Sequence, residues 1–278
     1  MSQKRPNNAI GFPPPLLGEQ PLRMQILADA SGWVALDKPA GIAVREYPWD
    51  GVRPNMDAAL NVQLQAGKPE LVKRGASLYG SVYYMDPEMS GVAIFAESRA
   101  SLAELRNRFG SAECQFVFTF ISGACPDGLA PEFLADAPLL THNTKPKMIP
   151  SSAKGKKTAT QFRLVGKSES GWTKWQARTT FFRPHQVRAH AAVHGIPILG
   201  DELYEGPAVP SLRDFKLKGR GAGLNALALD RMALHLSECQ LDASSVIRSD
   251  LPKSLQLFLK RIKMDEVSVP QQIIKLSE

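Results

Sequence analysis

The sequence predicts an α+β domain built around a mixed β-sheet. Three observations carry that prediction. Short apolar, β-branched and aromatic runs, bounded by turn residues, recur along the chain and outnumber its helix signals. The two kinds of signal do not alternate strictly, which disfavours a doubly wound parallel sheet. One run, residues 91–96 (Gly-Val-Ala-Ile-Phe-Ala), is apolar throughout, as a central strand covered on both faces would be.

Residues 1–30 are rich in proline and polar groups, and Pro13-Pro14-Pro15 marks an extended arm rather than a packed element. A strand follows at 33–36, ended by the turn Asp37-Lys38-Pro39-Ala40-Gly41 before the apolar 42–44. After strand 91–96, Ser98 or Ser101 caps a helix whose Leu102, Leu105 and Phe109 recur at helical spacing until Gly110. Residues 116–121 read as the next strand.

Residues 141–158 mix Thr, Asn, Pro, Ser and Gly with Lys145, Lys147, Lys154, Lys156 and Lys157. A solvated linker and a phosphate-contacting basic loop both fit this stretch. Strands resume at 159–165 and 172–182. A helix spans 185–194, opened by Pro184 and closed by Gly195. Residues 205–223 form a loop with a second basic cluster at Lys216, Lys218 and Arg220, and 232–241 is a late strand. The final helix starts near Asp250, with Leu251, Leu255, Phe258, Leu259 and Ile262 on one face and Lys260, Arg261 and Lys263 in its last turn. The expected organisation is an arm (1–30), one domain (31–263) and a tail (264–278).

Composition narrows the class. With 44% hydrophobic and 22% charged residues, the 278-residue chain is ordinary for a globular protein. No apolar run reaches the ~20 residues of a membrane helix, and the N-terminus lacks the apolar core of a secretory signal. A cytoplasmic protein that contacts no membrane is expected. Cys114, Cys125 and Cys239 have neither pairing nor metal-like spacing and read as free thiols. The formal charge of +7 suits a polyanionic partner.

Several chemical motifs fail on inspection. Gly155-Lys156-Lys157-Thr158 imitates the end of a phosphate-binding loop, but lacks the upstream glycine and leads into a strand. His190 and His194 stand one helical turn apart, yet no third ligand is evident, so packing or polar contacts are the better reading. No metal or cofactor is expected. Three segments remain. Asp86 stands beside Pro87, just upstream of a strand; Arg183, His185, Gln186 and Arg188 surround a helix N-terminus suited to an anion; Leu234-His235 lies in the late strand. Composition and spacing alone make Asp86 a turn or capping residue and Arg188 a surface charge.

The order and wording of four stretches resemble the RluA/RluD-type family of RNA pseudouridine synthases, from about residue 31 to about 242. Leu36-Asp37-Lys38-Pro39-Ala40-Gly41 is similar to the family's Asp-Lys-Pro-x-Gly motif. Residues 82–91 resemble its catalytic motif, His-Arg-Leu-Asp with a Thr-Ser-Gly turn, and place the aspartate at Asp86 and the Ser-Gly pair at Ser90-Gly91. Residues 155–162, with Lys147 upstream, resemble a Gly-Lys-x-Ala-x-Thr approach to a strand. Residues 183–204 match the Gly-Arg-Thr-His-Gln-Ile-Arg-x-His helix and its continuation at His185, Gln186, Arg188, His190, Gly195, Pro197, Gly200, Asp201, Leu203 and Tyr204.

The resemblance implies a pseudouridine synthase fold: a central mixed, mainly antiparallel sheet with flanking helices and an RNA-binding cleft. It implies that Asp86 attacks a flipped-out uridine of rRNA or tRNA at C6 or C1′, and that Arg188 keeps that carboxylate ionised. Tyr83, Tyr84, His185, Gln186 and Leu234 fall at its base-handling positions. Lys147, Lys156, Lys157 and Arg183 are the candidate RNA-backbone contacts. A monomer is expected.

The chain departs from the pattern at the site. Tyr83-Tyr84-Met85 replaces His-Arg-Leu, and Phe182-Arg183-Pro184 replaces Gly-Arg-Thr. Counting back from Gly123 puts Val117 where the family carries a base-stacking tyrosine; a one-residue slip would put Phe116 there and reverse the strand's faces. Two readings follow: an active synthase with altered RNA preference, or an RNA-binding or ribosome-assembly protein that kept the fold without catalysis.

Overall fold

A computed structural model describes residues 8–46, 49, 53–215, 225–242 and 245–267. These described residues pack as two compact units, one drawn from the stretch up to 114 together with 238–249, the other from 115–237 together with the stretch from 250. The stretch 31–263, expected as one domain, is thus divided between two units.

In the first unit, β1 (Ala9–Phe12) pairs antiparallel with β2 (Leu22–Ala30), and β2 with β3 (Trp33–Lys38). Two strands therefore stand where the proline content suggests an extended arm. Ile10 pairs directly with Met24, and both are buried, as is Phe12. The prolines mark only the turn between the strands, closed by Leu16 N–H donating to the Pro13 carbonyl (3.1 Å). Burial of the alternating apolar residues on either side decides the conformation.

Helix α1 (Met56–Gln65) occupies a stretch with no sequence assignment. The Asn55 side chain caps it by accepting from Ala58 N–H (3.0 Å), and Met56, Ala59, Leu60 and Gln63 make its buried face. The single turn α2 (Pro69–Val72) and the short β4 (Gly80–Ser81) lead to β5 (Ser90–Ala96). All seven β5 residues are buried, as its unbroken apolar run predicts. β5 pairs antiparallel with β3 and β4. For α3 (Arg99–Gly110), Ser98 is the cap and Ser101 its reciprocal partner in a capping box.

The second unit is built on β6 (Gln115–Ser122), β7 (Glu132–Ala135), β8 (Leu139–Thr141), β9 (Met148–Pro150), β10 (Thr160–Lys167) and β11 (Thr173–Thr179), followed by α4 (Gln186–Val193). β11 pairs antiparallel with β6 and β10, and β7 with β10. The basic stretch 141–158 is more ordered than a loop. β9 pairs with β8, and Leu139 exchanges backbone hydrogen bonds with Lys156. Gly155 is required here, because a Cβ would stand 2.3 Å from the Ser151 carbonyl oxygen.

Strand β12 (Leu234–Asp242) carries the chain from the second unit into the first, where β13 (Ser245–Arg248) pairs with it. The chain then returns to the second unit as α5 (Lys253–Arg261) and β14 (Asp265–Glu266), which pairs with β10. The first residues of the expected tail are therefore strand. Leu255, Phe258 and Ile262 are buried, as the α5 periodicity predicts. Lys216, Lys218, Arg220 and residues 268–278 lie outside the described residues. Among the described residues, no helix is long and apolar enough to cross a membrane.

The β6–β11–β10 sheet has two dissimilar faces, because side chains alternate along each strand. Phe116, Phe118, Phe120, Trp175, Ala177 and Phe162 share one. Phe182 packs edge-on against Phe116 and Phe118 at 4.9 and 5.2 Å, and Phe133 stacks on Phe162 at 5.2 Å. Val117, Thr119, Lys174, Gln176, Arg178, Gln161 and Arg163 share the other.

Candidate functional site

Asp86 lies on the loop between β4 and β5 and is only 3% exposed. Its carbonyl accepts from Met89 N–H (3.2 Å), closing a turn around Pro87 and Glu88. The turn is fastened from the side by Lys38, the last residue of β3, which is fully buried. The Lys38 ammonium donates to the carbonyls of Pro39 (3.0 Å), Pro87 (3.1 Å) and Met89 (2.6 Å). Gly41, at φ 87°, adds its own N–H to the Pro87 carbonyl (2.7 Å). The motifs at 37–41 and 82–91, separate in sequence, are one hydrogen-bonded structure. A buried ammonium without such acceptors would carry a heavy desolvation cost.

Tyr83 has a different place from the one the resemblance suggests. It is buried, its ring tilted against Phe109 at a centroid distance of 5.8 Å, and its hydroxyl donates to the Val92 carbonyl (2.8 Å). Burial lifts its pKa well above the ordinary tyrosine value, with Cys239 beside it. A long apolar ring gains more from the interior of the first unit than from a solvent-lined surface. Tyr84 and Met85 are buried as well.

In the second unit His185 immediately precedes α4 and has a left-handed backbone (φ 56°). Arg188 is no surface charge. Its guanidinium makes a two-pronged pair with Asp201, Nε to Oδ2 at 2.7 Å and Nη2 to Oδ1 at 2.8 Å, and both side chains are buried. Tyr204 stands at the centre of the cluster. Lys147 Nζ lies 5.5 Å and Arg188 Cζ 5.2 Å from its ring centroid. Its hydroxyl accepts from Met148 N–H (2.8 Å) and lies 3.1 Å from the Met148 carbonyl and 3.2 Å from His185 Nδ1.

Lys147, His185 and Arg188 are thus brought together, with Tyr204 and Asp201 as the organising groups. Gln186 stands apart as a scaffold residue. Its oxygen accepts from Arg183 N–H (3.0 Å), and its amide donates to the Ala159 carbonyl (3.0 Å) and Thr160 Oγ1 (3.0 Å). Phe116 is wholly buried in the aromatic face, Val117 is half-buried on the other, and Leu234 is buried at the start of β12. Arg183 lies over the Phe181 ring at 5.2 Å, while Lys156 and Lys157 are exposed. Tyr204→Phe is expected to destabilise the protein by about 1–2 kcal/mol, since it strips Met148 N–H of its acceptor. Urea unfolding reads this.

His190 is bonded through both ring nitrogens: Nδ1 to Thr160 Oγ1 (2.9 Å), and Nε2 to the Ala137 carbonyl (2.9 Å) with Thr158 Oγ1 at 3.2 Å. The network assigns the proton to Nε2, because only a donor can face the carbonyl. His194 packs on Phe133 at 4.7 Å. The pair serves packing and polar contacts. Burial lowers both pKa values below the usual 6.5. Below that pH the unfolded chain binds more protons than the folded one. Stability is therefore full above about pH 7 and falls as pH drops from the unfolded pKa toward the lowered folded values. The urea midpoint should fall between pH 7.5 and 5.5, and fall less in His190→Gln.

No family model matches the chain. Relatives do. Over 265 residues the chain is 26% identical to ribosomal large subunit pseudouridine synthase D of Zymomonas mobilis, covering 91% of this chain and 77% of that protein. Over 154 residues it is 30% identical to the dual-specificity RNA pseudouridine synthase RluA of Salmonella typhi, covering 54% of this chain and 69% of that protein. The chain belongs to the RluA/RluD family of RNA pseudouridine synthases.

The solved structure of human RNA pseudouridylate synthase domain containing 4 matches with a TM-score of 0.65 at 19% identity, over 86% of this chain and 93% of that one. That likeness shows the pseudouridine synthase fold, a mixed, mostly antiparallel sheet with few helices. Against the family pattern, sequence reading passed over Lys38, Asp201 and Tyr204 as site-building groups. Their signal was present: each falls in a stretch that carries the RluA/RluD resemblance.

Proposed function

We propose that this RluA/RluD-family chain isomerises uridine to pseudouridine in RNA, with Asp86 as nucleophile. The observation that carries this reading is the Asp86 turn, a nearly buried carboxylate on a loop whose backbone is pinned by Lys38. Pinning fixes the nucleophile before substrate arrives, which lowers the cost of reaching a reactive geometry.

In the proposed reaction the Asp86 carboxylate adds to the uracil C6 or to the ribose C1′, and the N1–C1′ bond breaks. The uracil turns, and C5 bonds to C1′. Loss of the C5 proton, uptake of a proton at the freed N1 and release of Asp86 complete the isomerisation with no net change in composition. The reading assigns Arg188 the charge that keeps the nucleophile ionised, a role taken from the family motif at 183–204; the Asp201 pair holds its fork rigid. Lys147, Lys156, Lys157 and Arg183 are proposed phosphate contacts, and rRNA or tRNA the substrate.

The assay is tritium release from 5-tritiated uridine in cellular RNA, because the C5 hydrogen leaves as water. Release is expected, and its absence on every RNA class would sink the enzyme reading. One observation favours the second reading, an RNA-binding protein without catalysis: Tyr83 is committed to the interior and Val117 is aliphatic, so neither offers a ring to a base. RNA binding without tritium release would establish it.

A further inference from the structure

The polar face of the β6–β11–β10 sheet holds an arginine that the proposed chemistry does not use. Arg178 on β11 pairs directly with Val117 on β6 and with Gln161 on β10, so all three side chains leave the same face. Cβ atoms in such pairs are ~4.5–5.5 Å apart. Neither neighbour brings a charge. Arg178 is half-buried, and its Nε is shut off from solvent with no hydrogen-bond partner among the described residues.

Among the described residues, two carboxylates near the face have partners other than Arg178. Glu132 accepts from Gln161 Nε2 (2.7 Å), and Glu266 lies 3.7 Å from Lys174 Nζ. A buried donor left unmade is destabilising, and native structures seldom retain one without reason. A guanidinium presents a flat fork of donors that matches two oxygens of one phosphate. Gln176 and Arg163 flank it on the same face, and Thr119 Oγ1 is occupied by Ser237 Oγ (2.7 Å). The face therefore presents the Arg178 guanidinium beside Gln176 and Arg163, while Glu132, the carboxylate opposite Arg163, is bonded to Gln161 and not to Arg178.

We propose that Arg178 binds a phosphodiester group of RNA, making this sheet face part of the nucleic-acid interface. The proposal rests on RNA being the partner, but not on catalysis. Its test is the salt dependence of binding to a fluorescein-labelled single-stranded oligouridine, read by anisotropy for wild type, Arg178→Gln and Arg178→Lys.

Loss of one phosphate contact should make the slope of log K against log salt shallower by about 0.7 in Arg178→Gln. Affinity at low salt should weaken about tenfold. Arg178→Lys should keep the wild-type slope. The melting temperature of Arg178→Gln should equal or exceed that of wild type, since no internal bond is lost.

An unchanged slope in Arg178→Gln overturns the proposal, as does a slope that falls equally in Arg178→Lys. A wild type that releases tritium from cellular RNA but does not bind oligouridine overturns it alone. A wild type that releases no tritium yet shows the expected slope change retains it and loses the enzyme reading.

Discussion

Asp86→Asn is expected to reduce tritium release by at least ~10³-fold, the scale on which removal of a covalent nucleophile acts. An amide of the same shape cannot add to C6 or C1′ as a carboxylate does. The backbone of the turn does not depend on the carboxylate for its main links. Met89 N–H still donates to the carbonyl of residue 86, and Lys38 still holds the Pro87 and Met89 carbonyls. The variant should therefore fold and bind cellular RNA with wild-type affinity while failing under single-turnover conditions. Turnover within tenfold of wild type would remove Asp86 from the chemistry and with it the proposed mechanism.

Lys38→Met should produce the largest loss of stability of any single change near the site, about 3 kcal/mol or more. Methionine fills similar volume but donates nothing, so buried carbonyls of Pro87 and Met89 lose their donor together. The same substitution frees the turn that carries Asp86, so activity should fall even at temperatures where the variant is folded. Urea unfolding measures the first effect, and tritium release well below the melting temperature the second. Lys38→Arg should not rescue either, because a planar fork cannot aim at three carbonyls disposed around a point. A Lys38→Met protein as stable as wild type would show that the carbonyls find other donors.

Periodicity and breakers made much of the fold legible. The apolar run of β5, the aromatic alternation of β6, the Ser98 cap of α3 and the Pro184–Gly195 brackets of α4 are local signals, and the structure follows them. The strands β1 and β2 were hidden by the prolines between them, whose influence ends at the turn. Asp86 and Arg188 were legible as candidate site residues only through the family motifs. Their surroundings were not, because the partners that build the site are largely main-chain carbonyls. Lys38, Gln186 and Tyr204 bind the backbone of distant residues, and a carbonyl leaves no trace in side-chain sequence. Tyr83 shows the converse limit: a residue in a catalytic motif whose side chain serves the interior.

The path of the chain through β12 has a consequence for synthesis. The first unit is not finished when residue 114 emerges from the ribosome, for it also needs residues 238–249. Two late links bind these to the beginning of the chain: Arg108 donates to the Leu241 carbonyl (2.7 Å), and Ser249 Oγ donates to Asp37 Oδ1 (2.7 Å). Asp37 adjoins Lys38, the residue that pins the Asp86 turn. During translation the nascent chain therefore carries Asp86 for more than half of its length before the last support of that turn is made. A chain that ends between residues 205 and 237 contains every residue of the proposed chemistry but lacks part of the frame of the first unit. Truncated products of this protein should accordingly be protease-sensitive in their first hundred residues, even though those residues are present in full.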